Sequence, residues 1–261
     1  MKAMNRLAGK RILITGGSQG LGRQLALDFA RAGAEALVLT ARHRPALEAV
    51  RAEVLKIATG TQVVVIDADQ SRPKDVERTV ATALSAFDGR LDVLVNNAST
   101  IGPAPMPYLL DYPLEDFQAV LNTNLVGPFQ MIRNALPAMI EGGGSIINVT
   151  SEAGMVGYSG WGAYGISKFG LEGLSQTWAA ELAESEVRVN WVDPGNMNTA
   201  MHRAAEPEED PSQWADPAEV TEVFVFLASD ESKGVTGKRF QAQEDWQQQL
   251  TNPAGRQGSI V

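Results

Sequence analysis

The sequence contains no cysteine. That absence excludes disulfides, thiolate nucleophiles and cysteine-ligated zinc or iron–sulfur centres. Histidine occurs only at His43 and His202, so chemistry that needs a histidine cluster lacks its parts, and no metal site is expected. Positive charge is also scarce: 22 Lys and Arg face 31 Asp and Glu, for a formal net charge of -9. A chain this acidic repels phosphate backbones unless a basic patch compensates, and none is present, so nucleic acid is not an expected partner. No apolar run approaches the ~18 residues of a membrane span. The opening stretch from Met1 to Leu7 lacks the apolar core of a signal peptide. The expectation is a cytoplasmic protein with no membrane partner.

What is present suits a packed interior. Of 261 residues, 44% are hydrophobic and 20% charged, close to the averages for soluble globular proteins. No linker rich in Pro, Gly or Ser divides the chain, so residues 1–261 are expected to form one domain. Short apolar runs alternate with longer stretches of helical periodicity. Strands are expected at Arg11–Thr15, Ala36–Thr40, Gln62–Ile66, Asp92–Val95, Ser145–Val149, Val187–Val192 and near Lys238–Ala242. Helices are expected at Leu21–Ala32, Pro45–Ala58, Lys74–Phe87, Leu114–Ile140, Gly162–Ala183 and Pro217–Ala228. Strands apolar on both faces and separated by helices indicate an α/β fold, a doubly wound and mostly parallel seven-stranded sheet with helices on both faces.

Two segments break this rhythm: the proline-rich Ile101–Pro113 and the acidic Asn196–Asp216. Both follow a strand, which places them over the carboxyl edge of the sheet, where open α/β folds bind ligands. Met106, Tyr108, Trp161, Met197, Met201 and Trp214 are candidates for the lining of a partly apolar substrate pocket. The polar stretch 244–261 is expected to be a tail, mobile or docked on a neighbour.

Between the first strand and the first helix lies Thr15-Gly16-Gly17-Ser18-Gln19-Gly20-Leu21-Gly22. Glycines here permit a tight turn and let a pyrophosphate approach the main chain and the positive end of the helix. The spacing G-x-x-x-G-x-G is wider than the usual dinucleotide fingerprint, and no Lys-Ser/Thr pair follows to make it a nucleotide triphosphate loop. The same residues satisfy G-x-S-x-G, the pattern of a serine hydrolase with Ser18 as nucleophile and His202 downstream. That reading ranks last, because a nucleophile elbow needs preceding strands for its oxyanion hole and the stretch before Arg11 is too short to supply them.

Enzymes that take NAD usually present an acid about 20 residues beyond the glycines, for the ribose 2′-hydroxyl. Here the residues are Thr40-Ala41-Arg42-His43-Arg44. With no acid, and with a guanidinium at Arg42 suited to a 2′-phosphate, NADP(H) is favoured over NAD(H).

Further along, Tyr164 and Lys168 lie four residues apart and hence on one helical face. A free tyrosine, with a pKa of about 10, exchanges protons poorly near neutrality, and a fixed cation beside it lowers that value. Tyr-x-x-x-Lys is therefore a candidate acid–base device. Ser151, just beyond the fifth strand, offers a hydroxyl that can polarise a carbonyl; its alternative use is to cap a turn.

These elements, taken in order, resemble the single-domain short-chain dehydrogenase/reductases from about residue 9 to 237. The set comprises the Thr15–Gly22 turn, Asp67, Asn96-Asn97-Ala98, Asn124, Ser151, Tyr164 with Lys168, and Pro194-Gly195 with Thr199. The resemblance implies a Rossmann-like domain that transfers hydride between a nicotinamide and a carbonyl or secondary alcohol. It implies that Tyr164 is the general acid in reduction and the base in oxidation, and that Lys168 lowers its pKa and bonds the nicotinamide ribose. Ser151 would hold the substrate oxygen and Asn124 a water of the proton relay. Gly16, Ser18, Gln19, Gly20, Leu21 and Gly22 would cradle the cofactor. Arg42 and Asp67 would meet its adenosine end, with Asn97, Pro194, Gly195 and Thr199 toward the nicotinamide.

The family also implies a homo-oligomer, tetramer or dimer. After Gly237, however, Lys238-Arg239-Phe240-Gln241-Ala242-Gln243 replaces the family's usual apolar strand. The alternative function is a catalytically silent, cofactor-sensing or scaffold protein of the same fold. Such a protein is expected to lose one or more of Asn124, Ser151, Tyr164 and Lys168, and all four are here.

Overall fold

A computed structural model of the protein describes residues 5–251. In β1 (Arg11–Thr15), Ile12 and Ile14 enter one core while Leu13 enters the other, the period-two alternation of a strand covered on both faces. The same logic produces β2 (Ala36–Ala41), β3 (Gln62–Asp67), β4 (Val93–Asn96), β5 (Gly144–Val149) and β6 (Val187–Asp193), while the short β7 (Arg239–Gln241) buries Phe240 alone beside β6. These strands form one parallel sheet in the order β3-β2-β1-β4-β5-β6-β7.

The helices are α1 (Gly20–Arg31), α2 (Arg44–Ile57), α3 (Pro73–Ala86), α4 (Leu114–Leu121), α5 (Gly127–Gly142), α6 (Gly162–Glu181), α7 (Ala200–Ala205), α8 (Glu222–Ala228) and α9 (Trp246–Gln249). On one side of the sheet, Leu25 and Phe29 of α1, Leu47 of α2 and Phe224 of α8 pack on Ile12 and Leu37. On the other, Val76 and Val80 of α3, Met131 and Ala135 of α5 and Ala179 of α6 pack on Leu13 and Leu94. Each of these buried side chains larger than alanine contributes about 1.5–3 kcal/mol of burial free energy. No helix among the described residues is long and apolar enough to cross a membrane.

Strand order reverses between β1 and β4, so the loops leaving these strands diverge and open a crevice at their carboxyl ends. The expected Leu114–Ile140 helix is two helices joined by a wider turn at Asn122–Val126, where the Gly127 amide donates to the Asn122 carbonyl. Pro128 is the cause: it has no N–H to offer the carbonyl four residues earlier, that of Asn124. The expected Pro217–Ala228 helix begins as a tight turn at Pro217–Glu219, capped by Asp216, before α8.

The expected tail is in part folded on its own chain. Trp246 packs at 5.0 Å on Phe226, and the Gln241 amide donates to Gln249 Oε1 at 3.0 Å. Residues 252–261 of that stretch lie outside the described residues.

Candidate active site

A cleft of about 1220 Å³ runs along the carboxyl edge, from Arg42 past the glycine turn to Trp161 and Trp214. Its first half is built from main chain. Gly16 has φ +69°, and a Cβ there would stand 2.8 Å from the Ala98 Cα; a Cβ on Gly22 would strike the Gly16 carbonyl oxygen. Gln19 precedes α1 in an extended conformation and makes no side-chain cap. The leading amides of α1 are therefore available to an anion. Ser18, Gly20 and Leu21 also line the cleft.

Asn97 braces this turn, its Nδ2 donating to the Thr15 carbonyl at 2.8 Å. Thr15 Oγ1 in turn accepts from the amides of Asn97 and Ala98, each at 3.0 Å. A narrow main-chain cradle at a helix terminus fits the pyrophosphate of a dinucleotide.

At the outer end of the cleft the two arginines differ. Arg44 pairs with Asp67 at 3.0 Å and with Glu48 at 3.2 Å. Arg42 is exposed and lines the cleft without an ion pair among the described residues. Asp67, expected to face the adenine, is instead occupied by Arg44, which holds its carboxyl below the ordinary value together with a backbone hydrogen bond. The wall at that level is Ala68 and Asp69.

The other half is built from side chains. Tyr164, Lys168 and Glu172 share one face of α6. Lys168 is buried, and its ammonium donates to the Val149 carbonyl at 2.8 Å. Its Nζ lies 5.4 Å from the Tyr164 ring centroid. Ser151 leaves β5 and caps the turn Glu152–Gly154, its Oγ accepting from the Ala153 amide at 3.2 Å. The same hydroxyl favours the ionised form of the Tyr164 phenol, and Ser151 lines the cleft while it caps the turn.

Burial pushes the Tyr164 phenol up to about 12, with the Asp193 carboxylate raising it further and the Ser151 hydrogen bond opposing. Burial also pushes the Lys168 ammonium down to about 8, against Asp193 and Glu172. In the protein without cofactor, loss of water is the largest influence on both groups. At neutral pH the phenol keeps its proton and the ammonium its charge.

Asn124 uses its side chain within the fold. Its side chain is buried and engaged, Oδ1 accepting from the Thr100 amide at 2.8 Å. Its Nδ2 donates to the Thr100 carbonyl at 2.8 Å and to Ser167 Oγ at 3.0 Å. It pins the β4 exit to α6, and Pro128 has no N–H to give the Asn124 main-chain carbonyl.

At the substrate end, Trp161, Met197, Met201 and Trp214 line the cleft as expected, joined by Ile101, His202 and Gln243. Met106 and Tyr108 do not line it; Tyr108 is 66% exposed. Leu109 lies against Gly162 instead, which turns this stretch outward. Thr199 also lines the cleft, and its hydroxyl accepts from the His202 amide at 3.2 Å, starting α7. Gly195, with φ +70°, lies under Gln243, whose Nε2 donates to the carbonyls of Pro194 and Asn196, both at 2.9 Å. His202 packs edge-on against Trp214 at 4.3 Å and makes no hydrogen bond to Ser18 among the described residues, so the hydrolase geometry is missing.

Behind the site lies a group that the sequence reading missed: Glu172, Asp193 and Arg239. Glu172 had a signal, since it extends the Tyr164–Lys168 stripe by one turn. Arg239 showed only as a basic residue where an apolar strand was due.

Residues 10–210 match the family described as short chain dehydrogenase. Over 244 residues the chain is 37% identical to a 3-oxoacyl-[acyl-carrier-protein] reductase of Synechocystis, a match covering 91% of this chain and 96% of the relative. The structure of the oxidoreductase yciK from Escherichia coli superposes with a TM-score of 0.85 at 29% identity, covering 94% of this chain and 98% of that one. A short chain dehydrogenase from Escherichia coli CFT073, solved with NADPH, superposes with a TM-score of 0.85 at 30% identity, covering 94% and 100%. These matches span most of the chain, and the chain belongs to the short chain dehydrogenase family.

Proposed function

We propose that the protein is an NADP(H)-dependent carbonyl reductase and alcohol dehydrogenase with Tyr164 as its general acid and base. The observation that carries this reading is the convergence of Ser151, Tyr164 and Lys168 on one end of a cleft whose other end is an unpaired Arg42. When bound, the nicotinamide supplies or accepts the hydride; orientation and the proton fall to the chain.

In reduction, the Ser151 hydroxyl and the Tyr164 phenol both hydrogen-bond the substrate oxygen as negative charge grows on it. The phenol gives up its proton there. An alkoxide is a stronger base than a phenolate, so the transfer runs downhill even for a phenol pushed up to about 12. The Lys168 ammonium steadies the phenolate left behind and holds the nicotinamide ribose, and a water on the Asn124 carbonyl returns the proton. Oxidation reverses each step.

At the phosphate end, Gly16, Ser18, Gln19, Gly20, Leu21 and Gly22 cradle the pyrophosphate and Arg42 takes the 2′-phosphate. Asn97, Pro194, Gly195 and Thr199 hold the nicotinamide end. NADPH in a relative of matching fold supports this choice. The substrate is a small, partly apolar carbonyl compound, as the Met197, Met201, Trp161 and Trp214 lining supports.

The test is Tyr164→Phe assayed by NADPH consumption over a panel of ketones and aldehydes. Turnover should vanish while NADPH binding, followed by fluorescence, stays near that of the unaltered protein. Retained turnover would remove Tyr164 from its role. NADPH binding without turnover in the unaltered protein would favour the silent, cofactor-sensing alternative.

A further inference from the structure

We propose that Arg239 is a positioning residue of the active site, a single guanidinium that fastens the three segments bearing the reacting groups and balances the charge around Lys168. The proposal rests on the reading of Tyr164 and Lys168 given above.

The fastening is direct. Arg239 Nε donates to Glu172 Oε1 at 2.9 Å, which holds α6, the helix of Tyr164 and Lys168. Its Nη2 donates to Asp193 Oδ2 at 2.9 Å and to the Ser151 carbonyl at 3.3 Å. These hold the β6 exit, which leads into Pro194 and Gly195, and the β5 exit, which presents the Ser151 hydroxyl.

The partners are themselves fixed. Glu172 accepts from Thr150 Oγ1 and from Trp191 Nε1, both at 2.9 Å, and Asp193 Oδ1 accepts from the Gly195 amide at 2.9 Å. Side-chain exposure is only 15% for Arg239, 8% for Glu172 and 6% for Asp193, so water does little to screen them. A planar fork with donors at fixed angles suits this task, whereas an ammonium is a point charge.

The charge count closes as well. Glu172 from its own helix and Asp193 from β6 act on Lys168, and Arg239 from β7 pairs with both carboxylates. β5 contributes only neutral groups, the Val149 carbonyl and the hydroxyls of Thr150 and Ser151. Two cations thus face two carboxylates. Asp193 and Glu172 both favour the charged form of Lys168, and Asp193 disfavours ionisation of Tyr164. Without Arg239, one carboxylate is left uncompensated beside the proton-handling pair.

The experiment titrates the Lys168 ammonium by 15N NMR in the protein without cofactor, assigned with Lys168→Arg, and pairs it with the pH profile of carbonyl reduction. Arg239→Met should raise the Lys168 midpoint by about one pH unit, a tenfold gain in proton affinity. Arg239→Lys, which keeps the cation, should leave the midpoint near its original place. Arg239→Met with Asp193→Asn restores the balance of charges and should return it, while kcat stays about tenfold low because the fork is gone.

An unmoved midpoint in Arg239→Met, or a double variant that titrates like the single one, would overturn the proposal. So would full kcat in the double variant. Should Arg239→Met fail to fold, the charge-balanced double variant decides alone: an original midpoint with lowered kcat supports the proposal, and a displaced midpoint ends it. The titration needs no turnover, so an active Tyr164→Phe would sink the functional reading without touching this result.

Discussion

The two ends of the cleft are made of different materials. The phosphate end is main chain: a glycine turn, an uncapped helix terminus, and an Asn97–Thr15 brace that ties β1 to β4. The catalytic end is side chain: Tyr164, Lys168, Ser151 and, behind them, a buried set of charges from α6, β6 and β7. The first works because atoms are missing, and it fails when one is added. The second works because charges are matched, and it fails when one is removed.

The largest effect should fall on the side-chain end. On the proposed reading Tyr164→Phe removes the general acid, so kcat should drop about 10²- to 10⁴-fold with NADPH affinity retained, which stopped-flow assays can read. A comparable loss of turnover in a phosphate-end variant that still binds cofactor would break the division of labour. Next is Arg239→Met, which leaves one buried carboxylate uncompensated. Urea unfolding should show a loss of about 3–5 kcal/mol, and the loss should shrink when Asp193→Asn is added.

The main-chain end is probed by Gly22→Ala. The added methyl strikes the Gly16 carbonyl oxygen, and the expected cost is about 1–3 kcal/mol in stability, with weakened NADPH binding in calorimetry. Arg42→Asp sharpens the comparison from the cleft's outer lip. It should shift the NADPH to NADH ratio of kcat/KM about 10- to 100-fold toward NADH, the strength of a charge-assisted hydrogen bond, with kcat preserved.

The smallest effect is a stability slope. Lys168 is lowered from 10.5 to about 8, so above pH 8 the unfolded chain holds the proton that the native state has lost. Stability therefore rises with pH across that window, and the contribution is absent below it. Comparing urea midpoints at pH 7 and 9.5 with those of Lys168→Met should show the rise only in the unaltered protein.

The sheet and the phosphate end were legible because local chemistry decides them. Apolar runs such as Ala36–Ala41 are buried on both faces, and a glycine string after the first strand leaves few alternatives. The wide turn at Asn122–Val126 was readable from Pro128 but was hidden inside a strongly periodic stretch. The loop residues Met106 and Tyr108 were misplaced because proline content marks a loop without saying which way it faces. Asp67 fitted a motif, but its neighbour Arg44 claimed the carboxylate. Arg239 was unreadable in another sense. A basic residue in a terminal strand ordinarily faces water, and its partners Glu172 and Asp193 are distant in sequence. No local period reports such a pairing.

β7 also has a temporal meaning. The ribosome delivers Arg239 and Gln243 after the glycine turn, the serine, the tyrosine and the lysine have all emerged. A nascent polypeptide stalled just short of β7 would carry every reacting group and still lack the bolt that aligns them. On this reading, alignment of the reacting groups waits for β7.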